Sequence, residues 1–224
     1  MMQTVSGLGI RVGICTIIDR SLGVTKTVAN ILELSPGWAS QAVTGFEFTV
    51  ANFDTISLTA RPIVSFYQNN GTGGLPGTLL AGFVFNPVTI PSGSGEILTY
   101  STTSGLFSIP TNDDVWAAVT YDNNGGATGA TVAQLNDLGQ LIFAPPTIGS
   151  TTGNFFLSNA AHNGFVSNPA GALYNFGGSP PGDFGWELLA TTVPEPGSVA
   201  LLSAFAITGL GAFGKRQLKN RSRA

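Results

Sequence analysis

Charge is what this 224-residue sequence has least of: 9% of its residues are Asp, Glu, Lys or Arg, against about 25% in an ordinary soluble domain. Basic residues are scarcer still. Only Arg11, Arg20, Lys26 and Arg61 precede position 200, too few to neutralise a run of phosphates, so nucleic acid is excluded as a general partner. One cysteine, Cys15, rules out an intrachain disulfide framework. One histidine, His162, has no second His or Cys close by to complete a transition-metal shell, and it reads as a loop residue. No Gly-x-Ser-x-Gly elbow occurs, which removes the usual setting of a hydrolase serine. Gly71-Thr72-Gly73 is followed by no lysine, so it is a turn and not a phosphate loop.

What is present is apolar, polar-uncharged and rich in turn formers. The hydrophobic fraction is 43%, with 30 Gly and 13 Pro. That content excludes a disordered tail and suffices for one sizeable core. All twelve acids lie between Asp19 and Glu195, while Lys215, Arg216, Lys219, Arg221 and Arg223 crowd the end. Four cations against twelve acids leave the body near −8, and the tail is +5. Solubility of such a body rests on hydroxyls, amides and its negative charge.

From Gly45 the pattern is period-two alternation broken by turns. Phe46, Phe48 and Val50 alternate with Glu47 and Thr49, the mark of a half-buried strand. Ile56, Leu58 and Ala60 continue it, and Ile63, Ser65 and Tyr67 run opposite Val64 and Phe66. Further strands are expected at 79–85, 88–90, 97–100, 106–109 and 115–121, then at 140–143, 154–157 and 186–189. Asn69 to Gly74, Pro76-Gly77 and Asn123 to Gly126 read as turns. Tyr67-Gln68-Asn69-Asn70-Gly71 is echoed by Tyr121-Asp122-Asn123-Asn124-Gly125, two strands entering similar turns. No window before residue 197 has helical periodicity. The expected fold is all-β, an antiparallel, jelly-roll-like β-sandwich over residues 28–192, after an ill-defined leader at 1–27.

Residues 197–214 carry no charge and are mainly apolar, the length and chemistry of one C-terminal transmembrane helix. The cations at 215–224, led by Lys215 and Arg216, place the C-terminus in the cytoplasm and the body outside. Val193, Pro194, Glu195 and Pro196 stand just before it, where two prolines enforce an extended peptide accessible to a processing enzyme.

The order of motif, apolar helix and basic tail over 193–224 resembles the PEP-CTERM sorting signal of exopolysaccharide-producing Gram-negative bacteria. The resemblance implies an exosortase-like processing enzyme and the membrane as partners, export, and display in the cell envelope or extracellular matrix beside exopolysaccharide. A second series resembles the choice-of-anchor domains, closest to the type R variant: Trp38-Ala39-Ser40-Gln41-Ala42, Gly45-Phe46-Glu47-Phe48, Ser57-Leu58, Val64-Ser65-Phe66-Tyr67, Asn70-Gly71 and Leu75-Pro76-Gly77-Thr78-Leu79-Leu80. It implies an exported sandwich module without catalytic activity. An exported chain needs a signal peptide, and residues 1–20 fit poorly. Either the start lies upstream of Met1, which is the expectation, or Val5 to Ile18 act as a weak signal.

Other chemistry is thinly represented. Asp113, Asp114 and Asp122 offer oxygens for calcium but no complete loop, so they are weak candidates beside their role as turn formers. No other metal or cofactor is expected. Glu47 and Asp54 form a glycosidase pair only if the fold brings them to the right separation. Trp38, Trp116, Trp186 and the tyrosines suit either a saccharide-binding face or a core, and the core is the expectation. The expected role is structural or adhesive and not enzymatic. A lectin-like carbohydrate-binding module is the alternative, and a secreted hydrolase comes third.

Overall fold

The computed structural model describes residues 27–34, 37–112, 114–143, 153–158, 165–177 and 183–191. The strands are β1 (Thr27–Glu33), β2 (Ala42–Asn52), β3 (Leu58–Gln68), β4 (Leu79–Val84), β5 (Val88–Ile90), β6 (Gly95–Ser101), β7 (Phe107–Ser108) and β8 (Asp114–Asp122). A single helical turn α1 (Val132–Leu135) follows, then β9 (Leu138–Gly139), β10 (Ile142–Phe143), β11 (Asn154–Ser158), β12 (Ala172–Asn175), β13 (Asp183–Phe184) and β14 (Trp186–Thr191). Among the described residues every pairing is antiparallel. The larger sheet runs β12-β11-β1-β8-β3-β4, with β5 also on β3. In the smaller sheet β2 is central, flanked by β14 and β9 on one side and β6 and β7 on the other. The arrangement is sandwich-like, as the alternation and turn spacing imply.

The core between the sheets follows from strand parity. From β2 it takes Val43, Phe46, Phe48 and Val50; from β3 it takes Leu58, Ala60, Val64 and Phe66. β8 adds Val115, Ala117, Val119 and Tyr121. The inward set on β2 switches from odd to even numbers because of a bulge. Leu189 stands opposite Gly45 and Ala190 opposite Val43, leaving Thr44 as the extra residue. Gly45 is required there, since a Cβ would lie 2.6 Å from the Tyr100 carbonyl oxygen.

The aromatic residues of this core interlock. Phe46 meets Phe66 edge-on at 4.9 Å and Phe83 at 5.1 Å, and Trp186 stacks on Phe48 at 5.3 Å. Phe83, Phe85 and Tyr100 close the β4–β6 side, with Tyr100 within 5.3 Å of Phe83. Edge-on and offset pairs of this kind add about 0.5–1.5 kcal/mol each beyond their burial.

β8 is buried on both faces, which is why Val115 to Val119 read as an unbroken apolar run. Its other face joins Ala29, Ile31, Tyr67 and Phe156 around Trp116 and Ala118. Part of this face lies under residues 165–171. Phe165 sits on Gly82, the Leu79 N–H donates to Ser167 Oγ at 2.9 Å, and Gly171 lies against the Phe156 ring.

Several elements depart from the sequence reading. Ile56, expected in a strand, lies in a bend and is 49% exposed. β1 escaped notice because it is buried on both faces and carries Asn30 at its centre, so no alternation marks it. β3 runs unbroken through Pro62. Its carbonyl accepts from the Phe85 N–H, so its missing donor faces the gap where β4 ends and β5 begins. Among the described residues no helix is long and apolar enough to cross a membrane. The expected helix at 197–214 lies outside the described residues.

Candidate functional site

The sequence-derived site residues divide into those the structure describes and those it does not. Val193, Pro194, Glu195, Pro196, Lys215, Arg216, His162 and Asp113 lie outside the described residues. Asp114 and Asp122 are described, and they stand at opposite ends of β8. The structure does not bring them together.

Asp122 is occupied by an ion pair. Arg61 Nε donates to Asp122 Oδ1 at 2.8 Å and Nη2 to Oδ2 at 2.6 Å, a two-pronged contact. Nη1 donates to Asn124 Oδ1 at 2.6 Å, and the Asn124 N–H donates to Asp122 Oδ1 at 2.9 Å. Burial pushes the Asp122 carboxyl up, but the hydrogen bonds from Arg61 and Asn124 outweigh it, and the net position is below the ordinary value. Arg61 is the one Lys or Arg among the described residues.

At the other end of β8, Asp114 Oδ2 accepts from Asn69 Nδ2 at 3.2 Å, and the Trp116 Nε1–H donates to Asn69 Oδ1 at 3.1 Å. Glu33 is the cross-strand partner of Asp114. Among the described residues no group of three or more His, Cys, Asp and Glu side chains converges as a metal site would require.

The fold creates a carboxylate pair that the sequence did not reveal. Glu47 on β2 and Glu187 on β14 are directly opposite in register, and the Thr99 hydroxyl on β6 donates to Glu47 Oε1 at 2.9 Å. Burial, and then the charge of Glu47, push the Glu187 carboxyl above its ordinary range. The signal was half visible. Phe46-Glu47-Phe48 and Trp186-Glu187-Leu188 both alternate, which sends each Glu outward, but nothing local says that two segments 140 residues apart pair. Asp54 holds its own turn instead, with its Oδ1 accepting from the Thr55 N–H at 2.5 Å.

The tryptophans are core residues, as expected. Trp116 belongs to the second apolar cluster, and Trp38 and Trp186, both partly buried, pack against the inter-sheet core. Tyr121 is likewise internal: its hydroxyl donates to the Gly139 carbonyl at 3.0 Å, and burial pushes the phenol up. The most open aromatic among the described residues is Tyr174, on edge strand β12, 47% exposed and stacked on Phe155 at 5.6 Å. No protein-family model, curated protein or solved structure matches the chain.

Proposed function

We propose that this chain is an exported protein sorted by an exosortase-like enzyme to the cell surface or extracellular matrix, where its β-sandwich has a structural or adhesive role linked to exopolysaccharide. The carrying observation is the order Pro194-Glu195-Pro196, the uncharged apolar stretch at 197–214 and the five cations of the tail. In this reading 197–214 is a membrane helix with its C-terminal side in the cytoplasm, and 193–196 is where the enzyme engages. The sandwich belongs with the jelly-roll-like choice-of-anchor modules that its strand and turn motifs resemble. A described surface with one cation, already paired, accords with a body kept soluble by amides and hydroxyls. The test is fractionation of cells expressing Glu195→Ala or a chain lacking 194–224. Loss from the surface is expected, and unchanged surface retention overturns the sorting role.

A second reading, carbohydrate binding, is favoured by Tyr174, whose half-open ring is backed by Phe155 as sugar-stacking platforms are. A glycan array with wild-type and Tyr174→Ala chains decides it: binding that the substitution removes is required.

A further inference from the structure

The echoed turns of β3 and β8 each contain an Asn-Gly step, Asn70-Gly71 and Asn124-Gly125, and the fold treats the two differently. Exposure alone would single out Asn70, which is exposed, over Asn124, which is half-buried. Hydrogen bonding reverses that order. Asn70 Nδ2 donates to Gln68 Oε1 at 2.7 Å and to Thr78 Oγ1 at 3.1 Å, its Oδ1 accepts from the Thr78 N–H at 2.8 Å, and the Gly71 N–H donates to the Leu75 carbonyl at 3.1 Å. Every atom that a cyclisation would use is held. In the other turn the Gly125 N–H and the Asn124 Nδ2 group have no partner among the described residues. Asn124 is at φ 51° and Gly125 at φ 65°, in an exposed turn tip.

We propose that Asn124 is a site of spontaneous deamidation, and that Asn70 is protected. The Gly125 nitrogen, its proton lost to base in solution, attacks Asn124 Cγ. The N–Cγ bond forms, the Cγ–Nδ2 bond breaks, and ammonia leaves with a proton from water, giving a cyclic imide. Water then opens the imide to Asp or isoaspartate. Arg61 Nη1, 2.6 Å from Asn124 Oδ1, stabilises the negative charge that develops on that oxygen during the attack and leaves the departing Nδ2 free. The product sets a second carboxylate against Arg61, beside Asp122. In the isoaspartate product the main chain runs through Cβ and Cγ, one methylene longer between Asn124 Cα and the Gly125 nitrogen, and the Asn124 carbonyl that accepts from the Ala127 N–H becomes a carboxylate outside the main chain.

The full chain is incubated folded in neutral and in mildly alkaline buffer, and in parallel in concentrated urea, and the two peptides are followed by mass spectrometry. In the folded chain Asn124 converts severalfold faster than Asn70, faster at the higher pH, and in urea the two rates converge. Equal rates in the folded chain, a lead for Asn70, or conversion of Asn124 in urea alone overturns the proposal.

Discussion

Glu47 and Glu187 occupy directly opposed positions on β2 and β14, two carboxylates in cross-strand register. Like charges in that relationship destabilise a sheet by a few tenths of a kcal/mol to about 1 kcal/mol. The Thr99 hydroxyl offsets part of the cost by donating to Glu47. Because the Glu187 carboxyl is raised in the folded chain, the folded state binds a proton more readily than the unfolded one. Its penalty is therefore full at neutral pH and is relieved as pH falls through the folded value. Glu187→Gln is expected to raise stability at neutral pH by no more than about 1 kcal/mol, with the gain shrinking in acid and in high salt. Urea unfolding at neutral and acidic pH measures it.

Arg61 and Asp122 give the opposite sign. The Asp122 carboxyl is held low in the folded chain, so its contribution is present above the unfolded carboxylate range and is lost as pH falls through the folded value. Both side chains are partly open to solvent, which limits the pair to about 1 kcal/mol despite its two-pronged geometry. Asp122→Asn is expected to lower stability at neutral pH and to converge with wild type in acid. An unchanged difference across that range would show that the pair does not act through charge.

Phe46 touches five other rings, from Phe48 on its own strand to Tyr100 on β6. Phe46→Ala is expected to cost about 3–5 kcal/mol by leaving a cavity. Leu173→Ala, on the exposed edge strand β12, should cost well under 1 kcal/mol, as for surface positions generally. Thermal unfolding of the two variants side by side checks the assignment of inside and outside.

Gly45→Ala tests the bulge. The added methyl meets the Tyr100 carbonyl oxygen at 2.6 Å, Leu189 Cδ1 at 3.1 Å and Ser101 Cα at 3.1 Å. Two of the three contacts are backbone, which cannot swing aside, so a loss of about 1–3 kcal/mol is expected. Gly73→Ala is the comparison, since no atom stands within 4 Å of its Cβ position and any cost comes from its φ of 72°.

Legibility followed burial geometry. Strands with one wet face announced themselves: Phe46, Glu47 and Phe48 alternate because one side meets the core and the other water. β1 did not, because Ala29, Asn30 and Ile31 are buried in succession and so give no contrast between its faces. β12 did not, because its four residues are all exposed and carry no contrast between faces. Ile56 misled because apolar spacing continued past the turn that Asn52 and Asp54 build, where the Asn52 Oδ1 accepts from the Asp54 N–H at 2.9 Å.

The amino-acid sequence by itself determined the low charge, the acidic body and basic tail, the all-β class and the turn positions. These are local properties, set by composition, alternation and the φ preferences of Gly, Asn and Pro. Tertiary structure decided which strands pair. That choice set Glu47 against Glu187, tied Arg61 to Asp122, turned Trp186 onto Phe48, and held the Asn70 side chain against Thr78. The physical reason is that alternation reports only which face of a strand is dry. Register between distant segments comes from side-chain fit across the sheet and between sheets, and that fit exists only once the chain has closed on itself.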